Sequence, residues 1–266
     1  MDNTLSEFVA HEPCNNCGSS DANSRYSDGH AYCFACHTYT PAEDWTHTHT
    51  QMNTNERVQF LGSAEQLQKR RISESTNSFY RIYRHGNTLR FPYYNESGQV
   101  VGFKIKTKSK DFHYEGAKSD QLFGQHLFPT SGKRIVITEG ELDAASCYEV
   151  MSGWPMVSLP HGAAAAKKDL QKAIPFLQGY QEIVLFFDND EAGREAVESA
   201  TSILPAGRVK IARLDAYKDA SDALQAEDRE AIRRAIWDAK PYRPDGIVDG
   251  KNLMALVTEP TKTCDH

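Results

Sequence analysis

Short apolar runs that end in acidic residues dominate the second half of the chain. Arg134 to Thr138 and Glu182 to Phe187 are almost continuously apolar, the pattern of strands buried on both faces of a parallel sheet. Met156–Ser158 and Val209–Arg213 read as two further strands. Between and after them, Leu142–Met151, Ala163–Ala173, Ala192–Ile203 and Asp228–Ala239 carry the helical period. Strands alternating with helices predict a parallel sheet with crossover helices. Upstream the pattern is different. Tyr80 to Tyr83, Leu89 to Tyr94, Val100 to Lys106 and Asp111 to Tyr114 suit successive strands, with Asn95-Glu96-Ser97-Gly98 as a hairpin turn. Before them, a short helix capped by Ser63 (to Arg70) and a second over Ser73 to Phe79 are expected.

The N-terminal segment follows neither pattern. Cys14-Asn15-Asn16-Cys17 and Cys33-Phe34-Ala35-Cys36 form two CxxC pairs separated by residues 18 to 32. Two such knuckles present four thiolates tetrahedrally to one Zn²⁺. Two disulfides are the competing reading, and they need an oxidising compartment. Met1 to His11 is polar and acidic, with no apolar core of a signal peptide, so zinc is expected. Ser24 to Tyr26 and Ala31 to Phe34, joined at Asp28-Gly29, complete a zinc ribbon. Cys147 and Cys264 read as a buried small residue and a tail thiol.

The expected organisation is a ribbon over 1–40, a polar linker over 41–56, a basic α+β subdomain over 57–120 and a parallel-sheet subdomain over 121–242. Thr40-Pro41 marks the first boundary, and the linker's His47 and His49 read as solvated rather than metal-binding. Hydrophobic content of 39% and charged content of 25% are ordinary for a globular chain. A net charge of −6 argues against nucleic acid until it is divided. Residues 1 to 56 hold one arginine and eight acids, whereas 57 to 118 hold twelve basic residues and five acids. The local basic tract keeps a polyanion partner open. No apolar stretch approaches the length of a membrane span.

Chemistry concentrates where the apolar runs end. Glu139-Gly140-Glu141-Leu142-Asp143 follows one strand, and Asp188-Asn189-Asp190-Glu191-Ala192-Gly193 the other. Residues two apart on an extended segment point the same way, so Asp188 and Asp190 project together. Glu139, from the neighbouring strand end, adds a third carboxylate. Such a cluster repels itself unless a divalent cation binds, and hard oxygen ligands favour Mg²⁺ or Mn²⁺. An Asp-x-Asp-x-x-Gly after a strand is also a common helix N-cap, which needs no metal. Lys104, Lys106, Lys108 and Lys110 recur every second residue and would line one strand face, suited to phosphate. The competing reading is a solvated edge strand whose lysines prevent aggregation. His161-Gly162 follows the second strand of the sheet, where a phosphate contact and a histidine without a role compete.

Together these motifs resemble the TOPRIM fold of primases and topoisomerases. The ribbon, the lysine tract, both acidic motifs and Tyr217-Lys218-Asp219-Ala220-Ser221-Asp222 match, in order, the primase half of the short-tailed bacteriophage primase–helicases. The mitochondrial helicase Twinkle is a more distant relative. The resemblance runs from Cys14 to Val248 and implies RNA-primer synthesis from ribonucleoside triphosphates on single-stranded DNA. It implies one structural Zn²⁺ on Cys14, Cys17, Cys33 and Cys36. It also implies two catalytic Mg²⁺ on Glu139, Asp188 and Asp219, with Glu141, Asp143 and Asp190 supporting. Glu139, Asp188, Asp190, Lys104 and Lys110 become the catalytic set, the lysine tract holds nucleotide phosphates, and Asp28 and His30 read the template. A DNA polymerase and a replicative helicase are the implied protein partners, in the cytoplasm of an infected bacterium.

In the family a helicase follows the primase in the same chain. No Gly-x-x-x-x-Gly-Lys-Ser/Thr loop occurs here, and 243–266 are expected to begin the linker toward it. A fragment and a separately encoded primase both remain open. Two rivals are a TOPRIM nuclease and a non-catalytic protein that clamps DNA between a zinc module and a TOPRIM fold. The retained acidic set, Glu139, Asp188, Asp190 and Asp219, speaks against the clamp.

Overall fold

The structure is a computed structural model that describes residues 8–27, 29–36, 38–40, 60–109, 111–205 and 207–242. The predicted linker, Asp28, Lys110 and the 243–266 segment lie outside the described residues. The chain divides into two compact units, Met1–Arg57 and Val58–His266.

The first unit is an antiparallel sheet of β1 (Phe8–Glu12), β2 (Asn23–Tyr26), β3 (Ala31–Cys33) and β4 (Tyr39–Thr40), hydrogen-bonded in that order. The inner pair coincides closely with the two strands the sequence predicted. β1 and β4 were not expected, because their exposed residues carry no apolar alternation. With so few apolar side chains, the buried centre is made by Ala31, Cys14 and Cys33, so the cysteines themselves form the core. Gly29, at φ 88°, closes the β2–β3 turn by donating to the Tyr26 carbonyl at 2.9 Å.

The second unit opens with a single 3₁₀ turn, Gln68–Arg70, and α1 (Glu74–Tyr80). The helix expected from Ser63 does not form. Ser63 instead exchanges backbone hydrogen bonds with Arg84, after Gly62 at φ 95°, where a Cβ would stand 2.1 Å from the Arg84 carbonyl oxygen. α1 is capped by Ser73, whose hydroxyl accepts from the Thr76 amide. The strand expected over Tyr80 to Tyr83 is corrected as well. Tyr80 ends α1, Arg81 leaves it in the left-handed conformation at φ 55°, and β5 begins only at Tyr83.

β5 (Tyr83–His85), β6 (Thr88–Tyr94), β7 (Val100–Lys106) and β8 (Phe112–Gly116) form an antiparallel meander. β7 ends at Lys106 and Lys108 sits in the following turn. Among the described residues, the idea that the lysines line one strand therefore fails for Lys108 and holds for Lys104 and Lys106. Their ammonium groups lie 4.8 and 5.1 Å from the same Phe112 ring.

The large sheet contains β9 (Gly132–Thr138), β10 (Met156–Ser158), β11 (Tyr180–Phe186), β12 (Val209–Ile211) and β13 (Lys240–Pro241), in the order β10-β9-β11-β12-β13. The first four run parallel, and β13 pairs antiparallel to β12. Alternation divides its core between two faces. Ile135, Ile137, Ile183 and Leu185 pack with α3 (Ala166–Leu177) and α4 (Glu191–Thr201). Val136, Val184 and Phe186 pack with α2 (Glu141–Val150), α5 (Ala220–Gln225) and α6 (Arg229–Trp237). This second face continues into the meander through an aromatic seam. Phe123, 1% exposed, lies 5.4 Å from Tyr80, 5.9 Å from Phe91 and 5.8 Å from Tyr93, ring to ring. Its backbone also pairs with Ser158, so one residue ties both sheets. Behind the sheet, Trp154 and Trp237 meet edge-on at 5.1 Å, with the Arg134 guanidinium 5.2 Å over the Trp237 ring. No helix among the described residues is long and apolar enough to cross a membrane.

Phe123→Ala opens a cavity where two sheets share one ring, and is expected to cost about 3–5 kcal/mol. A lowered urea midpoint with an unchanged slope is the measurement that checks it.

Candidate functional site

Two chemically distinct centres emerge, one in each unit. In the ribbon, Cys14 Sγ and Cys36 Sγ are 3.7 Å apart, as are Cys17 Sγ and Cys33 Sγ. All four sulfurs lie within 4.8 Å of one another, and the cysteines are unbridged. A tetrahedron with metal–sulfur bonds of about 2.3 Å has edges of roughly 3.8 Å, so the donor set fits Zn²⁺. Backbone amides of Cys17 and Asn16 lower the pKa of Cys14. The Thr38 hydroxyl and then the Asn16 amide draw Cys36 down to about 5. These second-layer donors favour thiolate, the form a metal needs.

On the ribbon surface, rings form a row. Phe8 meets Tyr26 edge-on at 6.3 Å, Tyr26 stacks on His30 at 4.4 Å, and His30 stacks on Tyr39 at 5.4 Å. Phe8, Tyr39 and Phe34 are exposed. His30, singled out in sequence as a reader of bases, is thus stacked by Tyr26 and by Tyr39 within an aromatic ladder.

The second centre is built at the carboxyl ends of β9 and β11, which pair in parallel up to Thr138 and Phe186. Glu139 is half-buried there, and its Oε2 is buried without a hydrogen-bond partner. Burial, then the neighbouring Asp188, raise its pKa, against the backbone amides of Ala163 and Asp188. Asp188 is raised by burial, which the ammonium of Lys218 opposes. Asp190 caps α4, accepting from the Gly193 amide at 2.9 Å, and that bond holds its pKa low. Lys218 Nζ lies 3.1 Å from an oxygen of both Asp188 and Asp190, so these two carboxylates do face the same side.

Local geometry explains why the motif reads as it does. A Cβ on Gly193 would stand 2.0 Å from the Asp188 carbonyl oxygen, so only glycine lets α4 start this close to the strand end. Asn189 points away from the acids and staples the neighbouring loop. Its amide donates to the Lys218 carbonyl at 2.7 Å and its side chain to the Leu214 carbonyl at 3.0 Å. That staple brings Lys218 and Asp219 to the site. Asp219 caps α5 by accepting from the Asp222 amide at 2.7 Å. Asp143 accepts from the Ser221 amide at 3.0 Å, and burial, then Asp219 and Asp188, raise its pKa well above the ordinary value.

Not every predicted acid faces this cluster freely. Glu141 is buried, with Lys104 Nζ at 2.8 Å and the Tyr93 hydroxyl at 2.6 Å. Lys104 is buried too, and also donates to the Pro160 carbonyl at 3.1 Å. Lys106 is the accessible member of the pair. Burial and then Arg70 lower its pKa, while Glu141 and Asp143 raise it. Arg70, which the sequence did not single out, donates to Ser221 Oγ at 2.7 Å. With Lys69, Arg84, Lys106 and Lys108 it lines a groove of about 770 Å³. Arg84 and Arg90 are tied to Glu65 and Glu115, and Arg90 stacks on Phe103.

Among the described residues, only the four cysteines form a group of three or more possible ligands with all donor atoms within 4.8 Å. The strand-end acids nevertheless sense one another's charge, Asp188 acting on both Glu139 and Asp143.

A Cys₄ ribbon joined to a parallel sheet with acids at adjacent strand ends defines a class, and residues 136–224 match the family model described as Toprim-like. The chain is 38% identical over 272 residues to the DNA helicase/primase of Enterobacteria phage T3, covering 95% of this chain and 47% of that protein. It is 32% identical to the DNA primase of Helicobacter pylori, covering 50% of this chain and 25% of that one. Thus it spans half or less of these curated relatives. Its fold superposes on the crystal structure of the primase fragment of the bacteriophage T7 primase-helicase with TM-score 0.64, at 34% identity. That match covers 86% of this chain and 100% of the fragment. The chain belongs to the family of the bacteriophage primase–helicases, in the part that carries the primase.

Stripping zinc with a strong chelator is expected to unfold the ribbon and leave the melt of the second unit, which has its own core, unshifted. Released zinc at one equivalent, and loss of ribbon amide signals alone, are the readouts. Separately, Gly193→Ala is expected to displace the Asp188 backbone and lower stability by about 1–3 kcal/mol, because the obstacle is main chain rather than a mobile side chain. Thermal denaturation of the purified variant checks it.

Proposed function

We propose that the chain is a nucleotidyltransferase that synthesises short RNA primers from ribonucleoside triphosphates on single-stranded DNA during phage replication. The observation that carries this reading is Glu139. A buried carboxylate oxygen without a partner, beside Asp188, at the carboxyl end of a parallel sheet, calls for a cation. The donor chemistry fits Mg²⁺, with Glu139, Asp188 and Asp219 as ligands and Asp190 and Asp143 orienting them. When bound, two Mg²⁺ would activate the 3′-hydroxyl of one nucleotide and neutralise charge on the triphosphate of the next.

The chain's own residues do the remainder. Lys106 and Arg70 supply fixed positive charge where the triphosphate lies, and Lys108 and Lys110 extend that charge. Lys104, locked between Glu141 and Pro160, acts by holding the acidic motif and the loop after β10 in place. In the ribbon, zinc rigidifies the hairpin carrying Asp28 and His30, which meet the edges and faces of template bases. Partners follow from the relatives. A bacteriophage T7 structure contains the lagging-strand DNA polymerase with primase domains bound to an RNA/DNA hybrid, and 36% of aligned residues match. A DNA polymerase, and a helicase as in the T3 protein, are therefore proposed partners in the host cytoplasm.

The test is incubation with single-stranded DNA, four ribonucleotides and Mg²⁺. Short RNA is expected; nicked DNA would favour the nuclease, and neither product the clamp. Glu139→Gln and Asp188→Asn should each reduce primer synthesis roughly a hundredfold or more. Because the folded pKa of Glu139 is raised, its ionisation disfavours the folded state, and its contribution to stability falls as pH rises toward that pKa. Without divalent metal, Glu139→Gln should therefore melt no lower than the wild type at neutral pH. Undiminished synthesis by both variants would remove the metal assignment.

A further inference from the structure

β10 ends at Ser158 in register with Thr138, and the Leu159 amide donates to the Thr138 carbonyl at 3.1 Å. The chain that follows therefore runs beside Glu139. This short loop, Pro160 to Ala163, is held from several sides. The Pro160 carbonyl accepts from Lys104 Nζ at 3.1 Å and from the Tyr114 hydroxyl at 3.0 Å. Asp169, on the first turn of α3 and 4% exposed, takes the His161 amide at 3.2 Å and its ring Nδ1 at 2.9 Å. Gly162 turns the chain at φ 75°, and the Ala163 amide reaches back to the Glu139 carboxylate. Asp169 fixes the imidazole, and Lys104 and Tyr114 fix the carbonyl of the residue before it, which is more than an idle loop histidine requires.

The chemistry of the exposed nitrogen follows from that of the fixed one. A carboxylate offers only acceptors, so Nδ1–H donates to Asp169, and in that tautomer Nε2 is the nitrogen left to accept. Around the ring stand Asp169, bonded to Nδ1, and Tyr114, its ring 6.1 Å away, while the nearby Glu141 is paired with Lys104. A lone pair in that setting repels a phosphate oxygen and suits a hydroxyl donor.

We propose that His161 reads the sugar: its Nε2 accepts a hydrogen bond from a ribose hydroxyl of the nucleotide held beside Glu139. This rests on the primer-synthesis reading and adds a residue to it. Asp169 is the positioning residue, because it sets which ring nitrogen carries the proton. The two sources of the hydroxyl, 2′ and 3′, are separated by the choice of nucleotide.

The full chain is titrated at equilibrium with ATP, 2′-deoxy-ATP and 3′-deoxy-ATP in Mg²⁺, and the same proteins are assayed for joining of each on template. In His161→Ala the preference for ATP over one deoxy analogue should fall about three- to tenfold, the worth of one neutral hydrogen bond. The analogue that loses its penalty identifies the hydroxyl. His161→Gln, which keeps an acceptor, should retain most of the preference. Asp169→Asn is the sharper probe. Its oxygen can still accept the His161 amide, but its amide donates to Nδ1, which places the proton on Nε2 and removes the acceptor without removing the ring. It should lose the preference as His161→Ala does. Unchanged ratios in both variants, or equal weakening of all three nucleotides, would overturn the proposal. A wild type that binds ATP with the expected sugar preference but joins nothing would instead overturn the primer-synthesis reading and leave His161 standing.

Discussion

Like charges brought together at the ends of two adjacent parallel strands are the constraint around which this chain is organised. β9 and β11 deliver Glu139 and Asp188 side by side because they pair in register, and the fold cannot separate them without breaking the sheet. The neighbouring elements all answer that repulsion. Lys218 bridges Asp188 and Asp190, and the amide at the start of α4 takes up a second share of charge on Asp190. Lys104 neutralises Glu141 inside the protein. Asn189 fastens the loop that supplies Lys218. What is left over, the unpartnered oxygen of Glu139, is the residual demand that an added cation would meet.

That organisation separates two kinds of positive charge. Lys104 and Arg90 are buried and paired, so their work is mechanical: they hold strands, loops and acids in register. Lys106, Lys108, Lys69 and Arg70 border an open groove and keep their charge available. Neither residue type nor strand face distinguishes Lys104 from Lys106, which reach the same Phe112 ring; Lys104 is bonded to the loop after β10, whereas Lys106 stands at the end of β7.

The parts of this plan visible in sequence are those governed by short-range rules. β7 and β10 match their predicted bounds; β9 begins two residues early and β11 ends one residue short at Phe186, small differences because continuous apolar runs in a parallel sheet have few alternatives. The four cysteines come together as their spacing required. What escaped depended on distant partners. Ser63 looked like a cap, yet pairs with Arg84 twenty-one residues on, and Tyr80 looked like strand until Arg81 turned left-handed. α5 is too short to show a period. Lys218, Arg70 and Asp169 acquire their roles only through tertiary contacts, although Lys218 stands directly before Asp219, where a basic neighbour to a predicted ligand was the one available sign.

The meeting of Trp154 and Trp237 behind the sheet has a consequence of another kind. Two indoles held edge-on at 5.1 Å are close enough for their electronic transitions to couple, and the coupling exists only while α6 stays docked on the segment before β10. The Arg134 guanidinium over one ring is itself bonded to Glu182 and to the Ile236 carbonyl, so the charge beside that indole stays in place only while β9 and β11 are paired. The second unit thus holds a pair of indoles whose coupling depends on the packing around the sheet that bears Glu139 and Asp188.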